Sequence, residues 1–147
     1  MERHVDEVLR VKGREVASIS PEATVLAAVR SMNEKRIGSL LVMRNDQAVG
    51  ILTERDVLVR LVVRRIDPAT VRVGELMSTS LTTIHPQMTI KSALRMMTEQ
   101  RKRHLPVVDG GRLVGLVSIG DLTKALGEDL EREVQDLTHY IHGPLAV

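Results

Sequence analysis

Apolar positions along this chain follow two periods that alternate, and the whole alternation occurs twice. In the first half, Val25, Ala28, Val29 and Met32 stand at helical spacing behind Thr24, a helix-capping residue type. They predict a helix over Val25–Lys35. Short apolar runs at Val16–Ile19, Leu40–Met43 and Val49–Leu52 predict strands, punctuated by Ser20-Pro21 and Asn45-Asp46 turns. Thr53 opens a second helix reaching about Arg64. In the second half, Ile90, Ala93, Leu94 and Met97 form the helical stripe behind Thr89. Leu81–Ile84, Leu105–Val108 and Leu113–Val117 are the strands, Asp109-Gly110-Gly111 the turn, and Ser118 the next helix start. Each half reads β-α-β-β-α. Val8–Lys12 and Val73–Met77 are matched helical lead-ins, and Ile66–Thr70, with Pro68, is a linker.

The copies align without a gap at an offset of 65 residues. Over residues 19–57 and 84–122, 13 of 39 positions are identical, from Ile19/Ile84 and Pro21/Pro86 to Gly50/Gly115 and Asp56/Asp121. Ordinary composition gives only a few such matches by chance. A duplicated unit predicts two similar halves that bury a face against each other and two similar sites, one per half. Beyond the repeats, Leu122, Leu126, Leu130, Val134, Leu137 and Ile141 make a helical stripe flanked by acids, with Gly127 a candidate kink. Two readings of the stripe stay open: it covers this chain's own core, or it meets a second copy.

Composition narrows the chemistry. The chain has 147 residues, 43% of them apolar, yet no Phe or Trp and a single Tyr, Tyr140. Aliphatic side chains and seven methionines must fill the core. Stacking of bases on aromatic platforms is thereby excluded. With 21 basic and 19 acidic residues interleaved, the formal charge is +2, so charge does not call for a nucleic-acid partner. There is no cysteine, which removes disulfides, thiolate nucleophiles and Cys-metal sites. Met1 to Arg14 is charged throughout and Val57–Val63 is too short to span a bilayer, so a soluble cytoplasmic protein with no membrane association is expected.

The candidate chemistry sits at the end of each repeat, in Gly50-Ile-Leu-Thr53-Glu-Arg-Asp56 and Gly115-Leu-Val-Ser118-Ile-Gly-Asp121. A strand ends at a hydroxyl residue, a helix begins, and a carboxylate follows three residues later. Either copy alone reads as a helix cap, hydroxyl and carboxylate tying up free backbone N–H groups. Both copies nevertheless keep Asp, where Glu or Gln is the commoner cap partner, and a glycine at the same offset. A hydroxyl at a strand-to-helix junction can donate to a phosphate, and a carboxylate beside it can accept both hydroxyls of a ribose. That is the chemistry of nucleotide binding rather than of catalysis.

The segments Ile19-Ser-Pro-Glu-Ala-Thr24, Arg36-Ile-Gly-Ser-Leu40 and Gly50–Asp56 resemble a CBS domain, the cystathionine-β-synthase type. Ile84-His-Pro-Gln-Met-Thr89, Arg103-His-Leu-Pro-Val107 and Gly115–Asp121 resemble a second one, and two in tandem are similar to a Bateman module. The resemblance implies an α+β fold of two pseudo-symmetric repeats packed through their sheets: residues 8–65, a linker at 66–72, residues 73–126, then a C-terminal helix and tail at 127–147. It implies two clefts between the repeats that hold AMP, ADP or ATP, with no obligatory cofactor. Carried over by motif, the first cleft would use Thr53, Arg55 and Asp56 with Met77, Thr82, Lys102, Arg103 and His104. The second would use Ser118 and Asp121 with Lys12, Ala17, Ile37, Gly38 and Ser39. The family's habit also implies a homodimer, and with no output domain among these residues any effector is expected to be a separate protein.

The clefts differ in charge. Arg55 and the run Arg101-Lys-Arg-His104 belong to the first, whereas Ile119-Gly120 and Gly38-Ser39 stand at the matching places of the second. Phosphate needs cationic donors, so the first is expected to hold the charged nucleotide. For the second, weak binding, a less charged adenosyl ligand and an empty cleft all remain open. The histidines (His4, His85, His104, His139, His142) show no metal-ligand spacing, and no nucleophile with a poised base is present, so neither a metal site nor an enzyme is expected. The rival readings are a nucleic-acid binder using the arginines and an oligomerisation domain with vestigial clefts.

Overall fold

The computed structural model describes residues 2–142, with side chains through residue 139. Ile141 of the C-terminal stripe, with Tyr140 and His142, therefore lies outside the described side chains. Helix α1 (Val5–Lys12) is followed by β1 (Ser18–Ile19), α2 (Val25–Lys35), β2 (Ser39–Arg44), β3 (Gln47–Thr53) and α3 (Glu54–Val57). A π-helical turn over Leu58–Val62 continues α3. After the linker come α4 (Val73–Leu76), α5 (Ile90–Gln100), β4 (His104–Asp109), β5 (Arg112–Ser118) and α6 (Ile119–His142). The repeat is structural as well as sequential. Thr24 and Thr89 each cap their helix by accepting from the backbone N–H three residues on, Ala27 and Ser92. Arg36 and Arg101 each end it in the left-handed region, at φ 54° and 53°. Bulges fall at Val42/Met43 and Val107/Val108, again one repeat apart.

The sheets are not equal. β1-β2-β3 forms three strands, β1 parallel to β2 and β2 antiparallel to β3, whereas the second sheet holds β4 and β5 alone. The strand expected over Leu81–Ile84 is reduced to one parallel bridge, Ile84 with Val107. The reason is a single residue. In the first half the N–H of Leu41 donates to Ala17 O at 3.0 Å; the counterpart of Leu41 is Pro106, which has no N–H to give.

Lead-in helices cross over. Val5, Val8 and Leu9 of α1 are buried in the core of the second half, with Ile90, Ala93, Met97, Leu105, Val107, Val117 and Leu122. Val73 and Leu76 of α4 are buried in the first, with Val25, Ala28, Met32, Leu40, Val42, Leu52 and Leu61. The two cores meet where β3 approaches β5. Helix α6 runs through Gly127 without a break, so the boundary expected at 126/127 falls inside one element. Leu122 is fully buried on this chain's own core, while Leu130, Val134 and Leu137 are exposed. The helix expected to run from Thr53 to about Arg64 is instead α3 with its π-helical continuation, ending at Val62.

Candidate functional site

At the end of β3, where the chain turns into α3, Thr53 and Asp56 form a reciprocal pair. Asp56 N–H donates to Thr53 Oγ1 at 3.2 Å, and Thr53 N–H donates to Asp56 Oδ2 at 3.0 Å. Ser118 and Asp121 do the same at 3.1 and 2.8 Å. Both motifs are therefore genuine helix caps. Capping engages one carboxylate oxygen of Asp56; Oδ1 receives no hydrogen bond from the described residues. One backbone bond ties each junction to the loop before β2 or β4: Glu54 N–H donates to Gly38 O at 3.0 Å, and Ile119 N–H donates to Arg103 O at 2.8 Å.

A cleft of about 830 Å³ opens between the halves at this junction. From the first half Gly38, Ile51, Thr53, Glu54, Arg55 and Asp56 line it. From the second come Ser78, Ser80, Leu81, Thr82, Met97, Thr98, the run Arg101 to His104, Pro106 and Ile119. Its charge is unbalanced. Arg55, Arg101, Lys102 and Arg103 take part in none of the ion pairs among the described residues, against the two carboxylates Glu54 and Asp56. Lys102 Nζ makes one long contact with Ser80 Oγ, at 3.3 Å. Cations left without partners beside an aliphatic wall are what a polyanion with an apolar ring requires.

His104 stands at the border of the cleft, opposite Ser118 across the β4–β5 ladder. Burial pushes its pKa below the ordinary histidine value. The positive charges of Lys12 and Arg103 act the same way, and Asp121 opposes them. The imidazole is thus held neutral, and it feels both the open cleft and the charges at the second motif.

At that second motif the arrangement is different. Lys12 Nζ donates to Asp121 Oδ2 at 2.6 Å and to Leu116 O at 2.8 Å. Burial opposes ionisation of Asp121, but the Lys12 ammonium and the Ser118 donors outweigh it and hold the carboxyl below its ordinary pKa.

Of the residues expected in the first cleft, Thr53, Arg55, Asp56, Thr82, Lys102, Arg103 and His104 share the lining. Met77 lies outside it, with its sulfur over Gly50. Of those expected in the second, Lys12, Ser118 and Asp121 are bonded together. Gly38 instead lines the first cleft, beside Glu54. Ala17 and Ile37 pack on the first core, and Ser39 is buried opposite Thr53. Arg101, expected there as part of the basic run, also lines it. Sequence reasoning did not assign Glu54, Ser80 or Ile119 to the first cleft; Ser80 stands in an irregular segment with no pattern to mark it. Among the described residues no helix is long and apolar enough to cross a membrane, and no group of three or more His, Asp and Glu side chains is arranged to hold a metal.

Comparison with known proteins agrees with the duplication. The family model for the CBS domain matches residues 6–63 and again 73–128. The mitochondrial CBS domain-containing protein CBSX3 of Arabidopsis thaliana is 33% identical over 148 residues, which cover 95% of this chain and 72% of that protein. The crystal structure of the CBS-domain containing protein ATU1752 from Agrobacterium tumefaciens superposes with a TM-score of 0.80 at 30% identity, covering 84% of this chain and 98% of that one. A hexameric CBS-CP12 protein from bloom-forming cyanobacteria gives a TM-score of 0.75 at 30% identity, covering 84% of this chain and 67% of that one. A CBS pair is a regulatory, typically ligand-binding module, and this chain, with two such domains in register, belongs to the CBS domain family.

Proposed function

We propose that this protein is a non-enzymatic sensor that binds an adenine nucleotide (AMP, ADP or ATP) in the cleft between its two repeats. The observation that carries this reading is charge. Four cations without ion-pair partners and one capping aspartate with an oxygen to spare line a single cleft between the halves. Phosphates would take Arg55, Lys102 and Arg103, with Arg101 at the rim, and the Thr53 hydroxyl can donate to the same group. The free oxygen of Asp56 suits a ribose diol. Without aromatic side chains, the adenine would lie against Ile51, Leu81, Met97 and Pro106. The second motif would hold no charged nucleotide of its own. Binding across two halves biases how they sit together, by differential affinity for two arrangements, and a separate effector protein would read the change.

A homodimer is part of this reading. The exposed Leu130, Val134 and Leu137 of α6 and the exposed Leu58, Val59, Val62 and Val63 offer apolar surface for a second copy.

Isothermal titration with AMP, ADP, ATP, NAD and S-adenosylmethionine at fixed salt tests the proposal. Heat with one site per chain and a preference for AMP, ADP or ATP is expected. Flat traces from protein shown by mass spectrometry to be free of nucleotide overturn it.

A further inference from the structure

The 65-residue offset that relates the repeats pairs Lys12 with Met77, Gly13 with Ser78 and Leu116 with Ile51. In the first half, the edge of β3 is closed by backbone. Ser78 N–H donates to Ile51 O and Ile51 N–H to Ser78 O, both at 2.9 Å. In the second half that closure is missing. Gly13, at φ 99°, turns the chain away and its N–H goes back to Leu9 O at 2.8 Å. The carbonyl of Leu116 is taken instead by the ammonium of Lys12, which also holds the Asp121 carboxylate at 2.6 Å. One side chain thus occupies the strand edge and the capping carboxylate of the second motif together. In the first motif Met77 cannot supply such a charge, and Asp56 has no ion-pair partner among the described residues.

We infer that Lys12 is a built-in latch on the second cleft: a tethered cation that fills the place of a ligand, so that each chain takes one nucleotide rather than two. The inference rests on the reading of the first cleft as a nucleotide site, and it adds what sets the stoichiometry. A ligand that takes Oδ2 of Asp121 must displace the ammonium from it and from the Leu116 carbonyl. Asp121 keeps Ser118 whichever partner it has, so the cap survives the exchange and α1 stays anchored by Val5, Val8 and Leu9. The second motif lacks a cation that the first carries, since Gly120 stands where the other half has Arg55. Its ligand is therefore an adenosyl compound of low charge, with AMP at the upper limit.

The test is titration of AMP into the wild-type chain and into Lys12→Met, Lys12→Ala and Lys12→Arg, with melting temperatures recorded beside it. Lys12→Met copies the residue of the other repeat and Lys12→Ala guards against a misplaced thioether. Expected are one site per chain in the wild type and in Lys12→Arg, and two in Lys12→Met and Lys12→Ala. One site in all four proteins overturns the latch and leaves the first-cleft reading standing; two sites in the wild type do the same. Sites in the Met and Ala variants alone, with a flat wild type, support the latch and overturn the first-cleft reading. Flat traces throughout overturn both.

Discussion

Leu9 occupies the space that a side chain at Gly115 would need: a Cβ there would lie 2.6 Å from Leu9 Cδ2. The same relation recurs one repeat earlier, where a Cβ on Gly50 would lie 2.5 Å from Met77 Sδ and 2.9 Å from the Ser78 carbonyl. These glycines lie in the motifs that end each repeat, yet their role is packing, since they admit the crossed lead-in segments. Gly115→Ala and Gly50→Ala should each destabilise the fold by about 1–3 kcal/mol through overpacking. Gly50→Ala should cost more. A Leu or Met side chain can rotate, but the Ser78 carbonyl cannot move without breaking its bridge to Ile51. Urea midpoints of the two variants measure this; an unchanged midpoint for Gly50→Ala would contradict it.

The paired aspartates make a sharper comparison. Asp56→Ala and Asp121→Ala each remove one half of a reciprocal cap, and each should lose about 1 kcal/mol of stability. Their effects on nucleotide binding should diverge. Removing a carboxylate that accepts ligand hydrogen bonds costs about 1.5–3 kcal/mol, or roughly 10- to 100-fold in affinity. That loss belongs to Asp56, whose charge has no partner, and not to Asp121, already held by Lys12 at 2.6 Å. Isothermal titration with ATP against both variants decides it, and equal losses would remove the asymmetry between the clefts.

How far these features were legible in the sequence depends on the range of the interaction behind each. Helix Val25–Lys35 has the predicted limits, because Thr24 and the stripe behind it are local signals. The strand at Leu81–Ile84 failed on a non-local fact, the missing N–H of Pro106 on the neighbouring strand. Thr53 and Asp56 were legible as a pair, since a cap spans three residues. What could not be read was who neutralises whom. Lys12 and Asp121 are 109 residues apart in sequence, and their contact exists because α1 packs on the other half of the molecule. Gly38 was expected in one cleft and lines the other for the same reason: motif spacing does not say which half a loop faces.

Arg103 provides a test of where the phosphates lie. Its guanidinium takes part in no ion pair among the described residues and lines the cleft, so it is available to a polyanion. Arg103→Ala should weaken ATP by roughly tenfold or more and leave adenosine within about twofold, because a charge-assisted bond is lost in the first case and nothing in the second. The penalty for ATP should shrink as salt rises and screens the cluster. Equal weakening of ATP and adenosine would place Arg103 against the base or sugar.

Acid should act on stability in two steps. The folded-state pKa of His104 lies below the ordinary value, because the imidazole is buried and faces Lys12 and Arg103. Between the folded and unfolded values the unfolded chain binds more protons, so stability rises with pH there. Its contribution is complete above about pH 6.5 and declines as pH falls through the window below. Asp121 is also shifted down, with burial opposing and Lys12 and Ser118 favouring the charged form. Its contribution is complete above about pH 4 and is lost as pH falls through the folded value. Urea midpoints at about pH 7.5 and about pH 5.5 should therefore differ less for His104→Asn than for the wild type. An unchanged difference would mean that the imidazole carries no such penalty.

The last prediction concerns α6, whose inner end is buried by this chain while its outer end is not. Leu122 is fully buried, whereas Leu130, Val134 and Leu137 are 53%, 61% and 62% exposed. Leu58, Val59, Val62 and Val63 are exposed too, at the end of the first repeat's helix. Covering the exposed part of one such side chain contributes about 1–2 kcal/mol, so several of them covered by a second copy would sustain a dimer at micromolar concentration. Leu130→Glu combined with Leu137→Glu should yield a monomer by size-exclusion with light scattering. Neither position helps to form either core, so the monomer should keep its helix and strand content by circular dichroism. Its nucleotide affinity should stay within about threefold, because the first cleft is built from one chain and no α6 residue beyond Ile119 lines it. A wild-type chain that is monomeric at tens of micromolar, or a double variant that remains a dimer, would show that this face does not join copies.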